Sequence, residues 1–394
     1  MTVNTLNFIV FLQHLGNPVY IVVGAALEIH LATTTDSIPP WEGLALKPLA
    51  RKPMNHRKES GKSIMLERYP GGDKGMKRIA VVTSGGDAPG MNACIRAVAR
   101  TAIFQGLEVL GVERGYKGLI EGEVEALTRR SVSGIINLGG TILKTARCEE
   151  MRTKEGIRKA AQTLIENRID GVVVVGGDGS LRGAWELFKA SGIPIIGIPA
   201  SIDNDVAGTD YTIGFDTAVN TALDAIDKIR DTATSHERVF IIEVMGRNRG
   251  FLALHVGLAA GAEFILVPEI EYSLDEISRE LKEAREKGKR SSIIVMAEGA
   301  GSSPKIAREI ARKTGFDIRL STLGYIQRGG TPTAFSRYLA SIFGSEAVKL
   351  LLKGKGGLMV GIENGEITTH KLTYAWKRKP LDRRLYRLSN LLAT

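Results

Sequence analysis

From residue 76 onward, short unbroken apolar runs alternate with longer stretches in which apolar residues recur every three or four positions. The runs are RIAVV (78–82), LEVLGV (107–112), GVVVV (171–175), IPIIGIP (193–199), VFIIEV (239–244), FILV (264–267) and SIIVM (292–296). They are continuous, which is what strands covered on both faces require. Helical periodicity occupies 91–105, 154–167, 180–190, 216–231, 274–287 and 304–314. This succession predicts a mostly parallel α/β sheet with helices on both sides. The span exceeds one typical domain, so two such lobes are expected.

Residues 1–75 do not continue the pattern. FIVFLQHLGNPVYIVVGAALEI (8–29) is apolar but contains Gln13, His14, Asn17 and Pro18, a poor membrane span. It lacks the basic start of a signal peptide. Residues 36–75 are polar and aperiodic, and MKRIAVV then begins abruptly at Met76. GGDKG (71–75) can be encoded by a ribosome-binding sequence just ahead of that methionine. The expectation is that Met76 is the true start, and that 1–75 is a non-native or disordered extension; a genuine tail or anchor is the alternative.

Composition narrows the class. The 394 residues are 43% hydrophobic and 24% charged, as in a globular protein, with a net charge of +10. A basic balance suits nucleic acid, membrane surfaces or small anions. No basic run is interleaved with aromatics, and aromatics are only 6%, which argues against nucleic acid. Two cysteines, Cys94 and Cys148, form no spacing motif and point to a reducing compartment. Six scattered histidines argue against zinc.

In open α/β sheets ligands sit beyond the carboxyl ends of the strands. Glycine-rich segments fall there: TSGGDAPGMN (83–92), GGDGS (176–180), PASIDNDVAGTD (199–210) and MGRNRG (245–250). In GGDGS, glycines let backbone N–H groups approach a polyphosphate, and a helix starting near Ser180 points its positive end there. Asp178 would repel phosphate unless it holds Mg²⁺. The plainer reading is a tight strand–helix turn with an aspartate cap. The spacing is not the dinucleotide fingerprint, and no GxxxxGK[ST] occurs, which excludes a P-loop. Asp203 and Asp205 stand two apart. On an extended segment they share a side, as a base with an orienting or metal-binding partner, each raising the other's pKa. An Asx-rich turn is the equal alternative. Arg147, Arg238, Arg247, Arg319 and Arg328 each lie in or beside a glycine-rich or strand-end segment. Guanidinium groups bind phosphate and offset charge developing in phosphoryl transfer. Any one of them alone reads as a solvated surface residue, and their joint occurrence with the loops favours an anion site.

TSGGDAPGMNACIR, GGDGS, SIDNDVAGTDYTIGFDTA, EVMGRNRG, VPE, AEG and LGYIQRGGTP occur in this order. Together they resemble the phosphofructokinase family, of the ATP-dependent bacterial type, from about Lys77 to the end. The resemblance implies two Rossmann-like lobes with the active site in the cleft between them. The ATP-binding lobe would be 76–212 plus 327–380, and the fructose 6-phosphate lobe 213–326 plus 381–394. It implies transfer of a phosphoryl group from MgATP to the C1 hydroxyl of fructose 6-phosphate, in glycolysis and in the cytoplasm. Asp203 would be the base, with Asp205 near the magnesium and Asp178 the magnesium-side acid. Gly86, Arg147, Cys148, Gly177, Gly179 and Ser180 would hold ATP, with Arg147 also near the transferred group. Ser201, Ile202, Met245, Gly246, Arg247 and Glu298 would line the sugar, and Arg328 with Tyr325 would hold its phosphate. Arg238 and Arg319 would reach a neighbouring subunit's site, making the protein a homo-oligomer, typically a tetramer. Arg96, Arg100, Arg129, Arg230, Glu263, Lys287 and Lys289 would form a second anion site, where ADP or phosphoenolpyruvate acts as an allosteric effector. Neither nucleic acid nor membrane is implied as a partner.

Three positions depart from the family pattern: Tyr325 where histidine is common, Cys148 in place of an aromatic, and Ser201 in place of threonine. The competing pyrophosphate-dependent type carries Asp at Gly179 and Lys at Ala200, so this chain leaves room for the ATP α-phosphate. Lipid and NAD kinases share GGDG but lack LGYIQRGGTP and the paired acids. A non-catalytic relative should have lost an acid or an arginine, and none is missing.

Overall fold

The computed structural model describes residues 8–14, 17–23 and 75–393. The chain divides into two compact units, Met1–Met65 and Leu66–Thr394. In the first, β1 (Phe8–His14) pairs antiparallel with β2 (Asn17–Val23). The rest of the segment expected to be non-native or disordered lies outside the described residues.

The second unit holds two sheets. The first is built from β3 (Arg78–Ser84), β4 (Glu108–Val112), β5 (Val124–Leu127), β6 (Gly171–Gly176), β7 (Ile195–Ser201) and the two-residue β8 (Ile213–Gly214). It is completed by β13 (Leu358–Glu363) and β14 (Glu366–Lys371), in the order β14-β13-β7-β6-β3-β4-β5, with β8 on β7. Only the edge pairs β13–β14 and β4–β5 are antiparallel. The second sheet, in the order β10-β11-β9-β12, is parallel throughout. It consists of β9 (Val239–Val244), β10 (Phe264–Leu266), β11 (Ser292–Ala297) and β12 (Ile318–Thr322).

The helices are α1 (Met91–Phe104), α2 (Tyr116–Glu121), α3 (Lys154–Glu166), α4 (Asp178–Ser191), α5 (Phe215–Ser235), α6 (Phe251–Ala260), α7 (Leu274–Glu286), α8 (Ser303–Thr314), α9 (Ala334–Leu352) and α10 (Arg383–Leu392). The unbroken valines of β6 are explained by its two faces. Val173 and Val175 join the large core shared with residues of the second sheet, while Val172 and Val174 pack under α3 and α4. Two mostly parallel sheets with helix-covered faces make the α/β architecture that the pattern predicted. Among the described residues no helix is long and apolar enough to cross a membrane.

In-register pairing sets the loops side by side. Ser84 of β3 pairs with Gly176 of β6, which pairs with Pro199 of β7, so three glycine-rich loops leave the sheet at one level.

Candidate active site

The GGDGS loop is held from below and open above. A Cβ on Gly176 would stand 2.4 Å from the Ser84 carbonyl oxygen, so that glycine is required by the close approach of two strand ends. Ser180 is buried between Gly85 and Gly176. Helix α4 starts at Asp178, not near Ser180, with Gly177 as its extended N-cap and no side-chain cap. The apolar pattern placed the start late because Asp178 and Gly179 carry no apolar signal. The aspartate-cap alternative fails for the same geometry: Asp178 lies inside the first turn and is free for another partner. A Cβ on Gly179 would meet nothing within 4 Å. Ala200 is 1% exposed and packs in the core beside this loop. Tyr116 supports the turn from behind by donating its phenol to the Ser180 carbonyl at 2.6 Å.

The SIDND segment is not extended. Asn204 adopts a left-handed φ of 52°, and its side chain accepts from Thr212 N at 3.0 Å and donates to the Asp210 carbonyl at 2.9 Å. These bonds span six and eight residues rather than the two of an Asx turn, and they hold a tight loop that keeps the two acids in electrostatic contact. Asp203 is 6% exposed, and Ser201 Oγ accepts from its backbone N–H at 3.1 Å. Burial first, then the charge of Asp205, push its carboxyl up to about 6, against the pull of Arg247 and Arg328 and with a further push from Glu298. Asp205 is raised by burial and then by Asp178. Three carboxylates from two strand ends therefore face one region. Ile202 turns into the core and does not line the sugar side with its side chain.

Across from them, MGRNRG is strained and clamped. Gly246 has φ 131° and Arg247 φ 52°, the latter costing about 1 kcal/mol or more for a residue with a Cβ. Three side chains from three other segments accept its backbone N–H groups. Gln327 takes Met245 N at 2.9 Å, Glu298 takes Arg247 N at 2.6 Å, and Glu269 takes Gly250 N at 3.0 and 3.1 Å. So fixed, Arg247 holds its Nε 3.4 Å from Asp203 Oδ2. Met245 packs partly buried on the core. Arg328 pairs with Asp87 of the first loop, and its guanidinium lies over Gly86 and 5.6 Å from the Tyr325 ring centroid. Tyr325 itself is largely exposed.

Other candidates stand apart. Arg147 is exposed, while Cys148 packs against the core under α3 and α4. Arg238 and Arg319 share the Asp317 carboxylate, at 2.7 and 2.9 Å. They sit at the amino-terminal ends of β9 and β12, the opposite end from Arg247. The seven-residue step from Arg238 to Met245 amounts to roughly 20 Å. Within one chain these two arginines do not reach the Asp203 region.

The effector candidates also divide. Arg96 and Arg100 share α1, burial and then the Arg100 charge lower the Arg96 pKa, and Arg100 Nε is buried with no partner. Arg129 is exposed just beyond β5. Arg230 donates to the Ala260 and Gly261 carbonyls. Glu263 pairs with Lys289 at 2.7 Å, and Lys287 is exposed nearby in the chain.

Asp87, Tyr116, Gln327 and Glu269 were not singled out from the sequence. All but Tyr116 lie inside motifs already recognised (TSGGDAPGMN, LGYIQRGGTP and VPE), so the motif was visible and the partner was not.

The phosphofructokinase family profile matches residues 78–351. ATP-dependent 6-phosphofructokinase of Halalkalibacterium halodurans is 55% identical over 319 residues, 81% of this chain and 100% of that one. The protein of the same name from Halothermothrix orenii is 54% identical over 331 residues, with the same coverage. Phosphofructokinase from Saccharomyces cerevisiae superimposes with a TM-score of 0.72 at 37% identity, over 79% of this chain and 46% of the yeast chain. A pyrophosphate-dependent phosphofructokinase from Marinobacter aquaeolei shares the fold, with a TM-score of 0.69 at 24% identity over 77% of this chain and 86% of that one. The glycine loops, paired acids and opposed arginines belong to a phosphoryl-transfer fold. The chain belongs to the phosphofructokinase family.

Proposed function

We propose that this chain is an ATP-dependent 6-phosphofructokinase. It transfers the terminal phosphoryl of MgATP to the C1 hydroxyl of fructose 6-phosphate, giving the 1,6-bisphosphate and ADP. The observation that carries the reading is Asp203: a buried carboxylate raised to about 6, faced by Arg247, between the clamped loop and the open one.

Such a group is matched to base catalysis near neutral pH. Asp203 takes the C1 hydroxyl proton as that oxygen bonds the γ-phosphorus, and the β–γ bridging oxygen leaves with its electron pair on ADP. Arg247 offsets charge developing on the transferred group, which needs alignment and neutralisation more than covalent help. Gly86, Gly177, Gly179 and Ser180 present backbone to the polyphosphate, and the exposed Arg147 binds it by a side-chain movement. The sugar rests on Ser201, Met245, Gly246 and Glu298, with Arg328 released from Asp87 onto its phosphate. Asp178 and Asp205, close enough that the first raises the pKa of the second, would hold the magnesium ion that accompanies ATP, and that ion would supply charge neutralisation of the phosphates.

The position of Arg238 and Arg319 at the far strand ends supports their service to a neighbouring copy, and hence a homo-oligomer, as a tetramer. In the same reading, residues 76–212 with 327–380 bind ATP, and 213–326 with 381–394 bind the sugar phosphate. The enzyme works in the cytoplasm. The second anion site formed by Arg96, Arg100, Arg129, Arg230, Glu263, Lys287 and Lys289 takes ADP or phosphoenolpyruvate. An assay with fructose 6-phosphate and ATP, ADP or pyrophosphate tests the reading. Turnover with ATP is expected, and turnover confined to pyrophosphate would overturn it.

A further inference from the structure

The carboxyl-terminal tail crosses from one sheet to the other, and its path touches both reactive loops. After β14 it runs beside the Asp203 loop, where Ala207 N donates to the Ala375 carbonyl at 3.2 Å. Beyond Asp382, which caps α10, the helix docks on the second sheet through Tyr386, whose hydroxyl donates to the Ile265 carbonyl at 3.2 Å. Lys379 lies between these two attachments, half-buried. Its Nζ donates to the carbonyls of Thr209 and Asp210, at 2.8 and 3.2 Å, in the loop that begins with Asp203. The same ammonium stands 5.3 Å from the ring centroid of Phe251, the first residue of α6 and the next after MGRNRG.

We propose that Lys379 is a positioning residue that latches the Asp203 loop to the Arg247 loop across the two sheets. The inference rests on the proposed reaction. Apposition of Asp203 and Arg247 at 3.4 Å joins segments that belong to different sheets and share no strand pairing. A single cation held by two carbonyls of one loop and one aromatic face of the other fixes their separation, since both contacts need the same Nζ position. The groups facing it are Asp205 and Asp210 on the loop and His255 on α6, which in turn faces Asp382 on the tail. Burial holds its pKa down to about 8, against the pull of Asp210 and Asp205. The latch therefore carries full charge below that pH and loses it above, where a neutral amine binds carbonyls and ring more weakly.

The test compares the full-length protein with Lys379→Met, which keeps the apolar stem over Phe251, and Lys379→Arg, which keeps a cation. Lys379→Met is expected to lower kcat about tenfold with KM for ATP unchanged. It should also raise amide exchange across 203–212 in the ligand-free protein, and Lys379→Arg should restore most of both. Wild-type kcat should decline as pH rises through about 8, a limb that Lys379→Met lacks. A Lys379→Met variant with kcat within twofold of wild type, unchanged exchange across 203–212, or the wild-type alkaline limb overturns the latch. If wild type itself fails to phosphorylate fructose 6-phosphate, the proposed reaction falls, and the exchange measurement still decides the latch.

Discussion

The two loops that face each other across the cleft are built on opposite plans. GGDGS leaves its upper side unoccupied: no side chain caps α4, and Gly179 faces open space. MGRNRG turns on a glycine at Gly246, is strained at Arg247, and is held at three amides by Gln327, Glu298 and Glu269. The first suits a flexible polyphosphate, which brings its own negative charge to unpaired N–H groups. The second suits a rigid sugar, whose reacting hydroxyl must be aligned before transfer. One loop is thus fixed by its neighbours, while the other is left open.

The largest expected effect is at the group between them. Asp203→Asn should cut turnover at least about 100-fold while sugar phosphate binding persists, since the base is lost and the shape kept. The same change should stabilise the fold. The folded carboxyl titrates near 6, above its ordinary 3.8, so the ionised form is disfavoured and stability falls as pH rises through that window. Above pH 6 the variant should gain up to about 3 kcal/mol in denaturant unfolding. Loss of stability at pH 8 would contradict the assigned burial cost.

Glycine substitutions probe the contrast directly. Gly179→Asp should cripple ATP use by setting a carboxylate against the phosphates, whereas Gly179→Ala should fold normally, because its Cβ meets nothing. Gly246→Ala should destabilise by roughly 2 kcal/mol, given φ 131° and a Cβ 2.7 Å from the Arg249 carbonyl oxygen. Thermal unfolding and ATP saturation of all three check this, and equal tolerance at 179 and 246 would erase the distinction.

Clamp removal should act more mildly. Glu269→Ala frees the Gly250 amide and should raise KM for fructose 6-phosphate about tenfold, leaving KM for ATP alone, with Glu269→Gln restoring it. A change in both constants would mean that the clamp serves the whole fold.

What the sequence disclosed follows from what each element buries. The continuous runs of β3, β6, β7, β9 and β11 are buried almost throughout and were legible. Strands β5, β12 and β14 went unread because they are exposed and carry no apolar run, whereas β13 and helix α9 went unread although both are largely buried and apolar. Helix α6 is apolar on nearly every side, so it shows no periodicity. Asp203, Asp178 and Arg247 stand in motifs and were named. Gln327, 82 residues from the amide it holds, and Lys379, 170 residues from Thr209, act through contacts that only the folded chain creates.

A smaller effect lies away from the cleft. Arg96→Ala should abolish any shift that ADP or phosphoenolpyruvate imposes on half-saturation by fructose 6-phosphate, without lowering the maximal rate. Saturation curves that neither compound moves in the wild type would show that the α1 arginines bind no effector.

The most direct test of the central claim is the pH profile of kcat/KM for fructose 6-phosphate at MgATP far below saturation, where it reports the free enzyme. A base raised to about 6 must lose its proton before it can accept one, so the profile should fall with an acid limb centred near pH 6. A limb centred near 4, where an ordinary exposed aspartate titrates, would contradict the account that burial between the two loops makes Asp203 the base.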